Sequence, residues 1–351
     1  GGTYTLKDTV EITEDMTGYF PIPIEDGITF DGGNNTITYE GDTAWDGLFE
    51  SSANDHTFTI QNATFDLYGS DLSNNNGCFI SKMGHTNNTI TIENCHSSST
   101  NSKNITLNGG GLVGTDFGKG ATCSISNCSN SLELYGDNSG GICGGTAGEV
   151  GTLTITNCSN SGILSGTNTG GICGSTAGKS GTLTITNSNN TGAINGEGAG
   201  GISGTDTGGN VSGSDYGDVT ISYCWNTGTI GGQHSGGICG LRFKSGVVKY
   251  CYNTGTLDNL QIGGICGTGT ANSNSVSNGD PGVTIFNCYS DADGNGSEYQ
   301  GGITAYNTAY NGTVNIYNCW VRGNDLSYGI VAHKSGSGIV TVKNCYYVTE
   351  N

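Results

Sequence analysis

The stretch NCSNSGILSGTNTGGICG, residues 157–174, decides the fold because it recurs along the chain. Thirty residues earlier the chain reads NCSNSLELYGDNSGGICG, and thirty residues later it reads NSNNTGAINGEGAGGISG. Each copy follows a short alternating run, such as TLTIT at 152–156, that is typical of a half-buried strand. A period of this length indicates a solenoid, in which each repeat buries its apolar face against the next.

Each repeat has room for three short strands separated by Gly, Asn and Ser turns. The first is the alternating run that ends in Asn-Cys, the second is a Gly-bounded run such as SGILSG (161–166), and the third is a GGxxG run such as GGICG (170–174). No segment keeps a helical apolar period, so almost no helix is expected. We predict an all-β fold, a parallel β-helix of about ten coils of roughly 30 residues each. Residues 1–26 are predicted to form an N-terminal cap, and residues 27–351 the β-helix.

Charge argues against several classes of partner. The net charge is −19, and the chain has only 11 Lys and Arg residues against 30 Asp and Glu. Since phosphate binding needs clustered cations, we expect no nucleic acid partner and no anionic membrane surface. The chain has no run of about 18 apolar residues, so no membrane insertion is expected.

The GGLVG run at 110–114 and the four GGICG runs resemble the GLUG-type repeat, Gly-Leu-x-Gly preceded by N-x-G-x-I-x-G. The upstream half of that motif is present at 160–166, 190–196 and 226–231, and the resemblance covers roughly residues 57–345. It implies a right-handed parallel β-helix displayed on a microbial surface, in adhesins or in large viruses. The family is defined by its scaffold, so the resemblance implies no reaction and no catalytic residue. Ile and Cys stand here where the family often has Leu or Val.

The 14 cysteines fall mostly into two columns, one at Asn-Cys and one at GGIC. Four pairs share a spacing of fifteen residues, and Ser188 and Ser203 replace both members in the copy that lacks them. This joint replacement favours a disulfide across each coil, because the loss of one cysteine would leave the other without a disulfide partner. Small buried thiols in stacked columns, and bridges between neighbouring coils, are the alternatives. Disulfides would indicate an extracellular, cell-surface or virion-surface location. The candidates are Cys128 with Cys143, Cys158 with Cys173, Cys224 with Cys239, and Cys251 with Cys266.

The residue after the column cysteine changes from polar to aromatic at about residue 220. On stacked coils these side chains would form a ladder, and flat aromatic rings are what sugar rings and protein hot spots contact. A structural stack that closes a corner is the alternative. The ladder consists of Trp225, Tyr252, Tyr289, Trp320 and Tyr346.

Residues 291–298, DADGNGSE, match the first half of a calcium-binding loop. Asp291, Asp293 and Asn295 alternate as ligands would, but the twelfth position is not Glu, and Glu298 would have to substitute for it. An acidic turn is the alternative. Calcium is therefore a possible cofactor, and no other cofactor is expected.

Two further functions remain open as alternatives. Threonines alternate in register on successive repeats at 152–156 and 182–186, which resembles an ice-binding surface, but Glu93 and Asp218 interrupt the face. Parallel β-helices also resemble pectin-degrading enzymes, yet the two arginines and five histidines occupy no recurring position. We therefore assign no catalytic residue.

The sequence predicts a non-catalytic structural or adhesive surface protein, a disulfide-stapled β-helical rod on a cell or virion exterior. Its expected partners are a surface glycan or other structural proteins of an assembly. A β-helix that binds or degrades polysaccharide is the first alternative, and an ice-binding protein is the second.

Overall fold

A computed structural model confirms the predicted parallel β-helix. Its described residues contain 23 strands and one 3-10 helix, Glu14–Tyr19, and 21 of these strands form a single sheet with parallel pairing. Within the described residues, no helix has the length and apolar character needed to cross a membrane. The structure describes residues 1–68, 70–101, 105–106, 108–209, 215–272, 282–323 and 325–348.

Residues 1–26, predicted as a cap, lie at the N-terminal end of the stack and continue its sheet. They contain β1 (Gly2–Thr5), β2 (Val10–Thr13) and β3 (Ile22–Pro23). Strands β1 and β2 pair in parallel with the two halves of β4 (Ile28–Glu40), while β3 pairs with β5 (Phe49–Glu50) in a separate two-stranded sheet.

Eleven coils follow one another, and we number them 1 to 11 in chain order. The first strands of coils 1 to 3 are long: β4, β6 (Thr57–Leu67) and β7 (Thr89–Ser98). From coil 4 onward each coil has a first strand and a short second strand. These pairs are β8 (Thr122–Ser126) and β9 (Ser129–Asn130), β10 (Thr152–Thr156) and β11 (Ser159–Asn160), β12 (Thr182–Thr186) and β13 (Asn189–Asn190), β14 (Asp218–Ser222) and β15 (Trp225–Asn226), β16 (Gly246–Lys249) and β17 (Tyr252–Asn253), β18 (Gly282–Phe286) and β19 (Tyr289–Asp291), β20 (Thr313–Tyr317) and β21 (Trp320–Arg322), and β22 (Ile339–Lys343) and β23 (Tyr346–Val348).

The predicted second and third strands are both reduced to isolated parallel bridges, such as Leu164 with Ile194 for the second and Gly170 with Gly200 and Cys173 with Ser203 for the third. The second glycine of the GGxxG motif is required there by close packing. A Cβ atom on Gly171 would lie 2.0 Å from the carbonyl oxygen of Gly201 and 2.7 Å from the Cβ of Asn190. The motif therefore allows neighbouring coils to approach at this position.

A buried ladder of asparagine side chains crosses the core beside these glycines. From Asn130 to Asn253, each Nδ2 atom donates to the Oδ1 atom on the next coil at 2.7–2.8 Å. The same Nδ2 atoms also donate to the carbonyl two residues ahead, as Asn160 does to Gly162 at 2.9 Å. Because every amide is satisfied along this run, the ladder sets the register of coils 4 to 8 without a desolvation penalty.

The corner between the first and second strands is formed by a residue in the left-handed conformation. Asn occupies this corner in eight coils, with φ between 50° and 55°, as expected from its tolerance of that conformation. In coils 7 and 8 the corner residues are Tyr223 and Tyr250, both with φ of 55°. These two coils therefore keep the same backbone bend with an unfavourable residue.

Candidate functional site

The five residues predicted as an aromatic ladder lie in register on coils 7 to 11. Each begins the second strand of its coil, directly after a column cysteine whose side chain faces inward. The rings of Trp225 and Tyr252 stack with centroids 5.9 Å apart and an interplanar angle of 7°, and those of Tyr289 and Trp320 meet at 5.8 Å and 61°. Trp320 is 53% exposed and Tyr346 is 68% exposed, so this edge of the rod presents rings to solvent.

A second aromatic column, which the sequence reasoning missed, runs beside the ladder. Tyr223 and Tyr250 stack at 4.8 Å and 10°, and Tyr250 meets Phe286 edge-on at 5.5 Å. Phe286 is the register partner of Tyr317 on the next coil. The sequence feature that could have revealed this column is the replacement of Asn-Cys by Tyr-Cys at 223–224 and 250–251. We call the two columns together the aromatic face; it consists of Trp225, Tyr252, Tyr289, Trp320, Tyr346, Tyr223, Tyr250, Phe286 and Tyr317.

The backbone at Tyr223 and Tyr250 is strained relative to the other coils. A residue with a side chain costs about 1–2 kcal/mol in the left-handed conformation, and Asn reduces this cost by hydrogen bonding locally. Both tyrosines are nevertheless exposed, at 51% and 41%, so burial of the rings does not fully offset the strain. The left-handed conformation also occurs at non-Asn residues of other turns, such as Thr146 and Val150, so the strain by itself does not mark a site.

An ion pair lies at one side of the aromatic face, two residues after the ladder position on coils 9 and 10. Arg322 donates from Nε to Oδ1 of Asp291 at 2.8 Å and from Nη2 to Oδ2 at 2.5 Å. This pairing joins coils 9 and 10 and holds the pKa of the Asp291 carboxyl below its usual range. Asp291 is therefore a carboxylate neutralised by its neighbour.

The calcium-like turn is held by hydrogen bonds within the protein. Asn295 Oδ1 accepts from Gln300 Nε2 at 2.8 Å, and Asp291 is engaged by Arg322. In the part of the chain that the structure describes, no group of three or more His, Cys, Asp and Glu side chains is placed to hold a metal ion. The structure therefore does not gather into one site the residues predicted to bind calcium, Asp291, Asp293, Asn295 and Glu298.

All 14 cysteines are free thiols, which differs from the predicted disulfides. Thiol contacts run from coil to coil along each column rather than across a coil. Cys143 and Cys173 are bridge partners on neighbouring coils, and the Cys95 N–H donates to the Cys128 Sγ atom at 3.4 Å. The fifteen-residue spacing thus separates two inward-facing positions of one repeat. The predicted disulfides that the structure does not contain are Cys128 with Cys143, Cys158 with Cys173, Cys224 with Cys239, and Cys251 with Cys266.

Burial raises the pKa of several of these thiols. It raises the pKa of Cys123 to about 12, and it raises the pKa of Cys143 and Cys266 well above the usual value. A thiol without thiolate character is a poor nucleophile and reacts slowly with oxidants. The columns therefore act as small apolar packing residues, which is one of the alternatives the sequence left open.

The two serines that interrupt the cysteine columns are not equivalent. Ser188 Oγ donates to the Thr186 carbonyl at 3.0 Å and accepts from the Cys158 N–H at 3.1 Å. Ser203 Oγ is buried and has no hydrogen-bond partner. Only the first serine therefore has a hydroxyl that the surrounding coils satisfy.

The threonine face is in register, as Thr152 is with Thr182 and Thr154 with Thr184. An open depression of about 690 Å³ lies at its edge and is lined by backbone and polar side chains, including Asn87 and Asp218. Asp218 is the register partner of Thr182, so a charge interrupts one row of the array on coil 7, while Thr220 continues the next row.

The aromatic face has the dimensions of a binding surface for a long ligand. Its ladder spans five coils, which at the strand spacing of about 4.8 Å corresponds to roughly 19 Å along the rod. Flat rings at this regular spacing can stack against successive units of an extended chain.

No family model, no curated protein and no solved structure matches this chain.

Proposed function

We propose that the protein is a non-catalytic adhesive protein of a cell or virion exterior, whose aromatic face binds a surface polysaccharide. One observation carries the proposal: aromatic side chains lie in register on five consecutive coils, with Tyr252, Trp320 and Tyr346 exposed and the other two partly exposed. Sugar rings present C–H faces that pack on aromatic rings, and the free hydroxyls remain in water at an open surface. A rod with such an edge is suited to holding a chain parallel to its axis.

Comparison with earlier coils argues against a merely structural stack. The register partners of the ladder on coils 4 to 6 are Ser129, Ser159 and Asn189. These coils form the same strands and the same corner with small polar side chains at the position. The backbone therefore does not require an aromatic residue there, and contact with a ligand supplies the reason for one.

The arrangement of acidic side chains favours binding over catalysis. Glu149 is paired with Lys119 and Lys179, each at 2.8 Å, and Asp206 accepts from Arg242 at 2.8 Å. A glycosidase needs a carboxylic acid and a carboxylate placed on either side of the scissile bond. Carboxylates neutralised by cations on neighbouring coils are better explained as links between coils.

An exterior location is part of the proposal; without disulfides it rests on the resemblance to surface repeat proteins, and the burial of the cysteines does not oppose it. Thirteen of the 14 are buried, and Cys345 is partly exposed. Buried protonated thiols persist in oxidising surroundings, because oxidation follows thiolate character and exposure.

Polysaccharide binding by matched variants tests the proposal. The variant replaces all five ladder residues by Ser, the residue that coils 4 and 5 carry at this position. The control replaces Tyr19, which is 79% exposed near the N-terminal end, by Ser. Both are compared with the wild type on a panel of immobilised neutral and acidic polysaccharides, with far-UV circular dichroism as the check on folding.

We expect the wild type and the control to bind at least one polysaccharide and the ladder variant to bind at least about tenfold more weakly, since each aromatic contact contributes about 0.5–1.5 kcal/mol. Equal binding by the ladder variant would overturn the assignment of the site. Attachment to protein-only surfaces, with no polysaccharide bound, would overturn the assignment of the ligand.

A further inference from the structure

On coils 8 to 11, the strands that carry the aromatic face have a positive charge excess on a strongly acidic protein, while β14 of coil 7 begins with Asp218. Strands β16 to β23 contain four charged residues: Lys249, Asp291, Arg322 and Lys343. Three cations against one anion leave an excess of two positive charges, although the whole chain has a net charge of −19. Because Arg322 is paired with Asp291, the excess resides on the two lysines.

These two lysines are unpaired among the described residues: neither has a carboxylate within 4.0 Å. By contrast, Lys119, Lys179 and Lys244 each have a carboxylate partner within that distance. Ammonium groups with no protein partner, next to exposed rings, are available to a ligand.

The lysines bracket Phe286 and Tyr317 of the second aromatic column. Lys249 is the register partner of Phe286, Phe286 of Tyr317, and Tyr317 of Lys343. Three strand spacings separate the two lysines, which corresponds to about 14 Å along the rod. On the earlier coils the same column holds small polar residues, such as Ser126 and Thr156. At this position the small polar residues of the earlier coils are therefore replaced by lysine on coils 8 and 11 and by an aromatic residue on coils 9 and 10.

We propose that the ligand of the aromatic face is an anionic polysaccharide, whose sugar rings stack on the aromatic columns while its carboxylate or sulfate groups bind Lys249 and Lys343. This inference rests on the proposed function and specifies its ligand. The lysine ammonium groups supply charge without a fixed geometry, so they tolerate variation in the position of the acidic group along the chain. The aromatic rings fix the direction of the chain.

Salt dependence follows from this arrangement. Exposed charges interact over a screening length of about 8 Å at physiological ionic strength and about 3 Å at 1 M. The contribution of the lysines should therefore fall as salt is added, while ring stacking persists. A neutral polysaccharide of the same backbone should bind with little dependence on salt.

The test uses polygalacturonate and its fully methyl-esterified form, which differ in the charge of the carboxyl group. The lysine variant is Lys249→Gln with Lys343→Gln. The control, Lys7→Gln with Lys334→Gln, makes the same change in net charge at two positions outside the aromatic face. Binding of each protein to each polymer is measured at low salt and at about 1 M salt.

At low salt we expect the wild type and the control to bind polygalacturonate about three- to tenfold more tightly than the ester, as two exposed charge contacts would give. The lysine variant should lose this preference but still bind the ester, and high salt should remove the preference from the wild type and the control. Equal wild-type binding to both polymers, or a preference that the lysine variant keeps, would overturn the inference and leave the proposed function standing. Binding to neither polymer would overturn the inference, and the panel of polysaccharides would then decide the proposed function separately.

Discussion

Replacing Ser203 by cysteine should stabilise the middle of the rod. The Ser203 hydroxyl is buried on coil 6 without a hydrogen-bond partner, and its bridge partners on the neighbouring coils are Cys173 and Cys239. A cysteine there restores the column and replaces a strongly hydrated hydroxyl by a weakly polar thiol. The backbone at this position already accommodates cysteine on both sides.

The magnitude follows from the contrast with Ser188. A buried polar group without a partner costs about 1–3 kcal/mol, and this penalty disappears in Ser203→Cys. Ser188 has both a donor and an acceptor partner, so Ser188→Cys exchanges satisfied hydrogen bonds for weaker thiol contacts. We expect a change of about 0 to 1 kcal/mol towards lower stability for Ser188→Cys.

Hydrogen exchange on peptides from coils 5 to 7 measures the effect locally, which suits a solenoid because its repeats open partly independently. All samples are kept reduced so that no disulfide contributes. A gain of 1–3 kcal/mol corresponds to about 5- to 150-fold slower exchange in Ser203→Cys. No slowing, or an equal slowing in Ser188→Cys, would refute the reasoning from the unsatisfied hydroxyl.

Three further predictions concern the corner, a buried lysine and the thiols. Replacing Tyr223 and Tyr250 by Asn should raise stability by about 1 kcal/mol in total, because relief of left-handed strain exceeds the lost ring stacking, and should weaken polysaccharide binding; a lower urea midpoint would contradict this. Burial lowers the pKa of Lys244 to about 8 from 10.5, so the unfolded chain binds more protons between these values. Wild-type stability should therefore rise with pH across that interval relative to Lys244→Met, and a flat difference would speak against a buried neutral amine. Alkylation of the native protein should modify Cys345 first, and alkylation of the denatured, unreduced protein should find 14 thiols; blocked cysteines would revive the disulfides.

The coil architecture could be predicted from the sequence because its causes are local and repeated. Alternating Thr and Ile at 152–156 specify a strand, and the recurrence of that strand every 30 residues specifies stacking. The aromatic ladder followed from the same period, since equivalent positions on successive coils must be neighbours.

Features that depend on contacts between coils could not be predicted from the sequence period in this way. The thiol contacts join residues 30 positions apart, such as Cys143 and Cys173, whereas the regular spacing within a repeat drew attention to pairs 15 apart. The second aromatic column was missed because Tyr223 reads as the end of an alternating strand, while its backbone is in the left-handed conformation. The partner of Asp291 is Arg322 on the next coil, and nothing near residue 291 indicates that pairing.

Tryptophan fluorescence offers the most direct test of where the polysaccharide binds. Of the three tryptophans, Trp45 is 1% exposed, and Trp225 and Trp320 lie in the aromatic face. We would measure acrylamide quenching with and without a saturating concentration of the tightest-binding polysaccharide. If the aromatic face is the site, the bound chain should protect Trp225 and Trp320 and reduce quenching. Saturation with no change in quenching would place the ligand elsewhere on the rod and contradict the proposed function of the face.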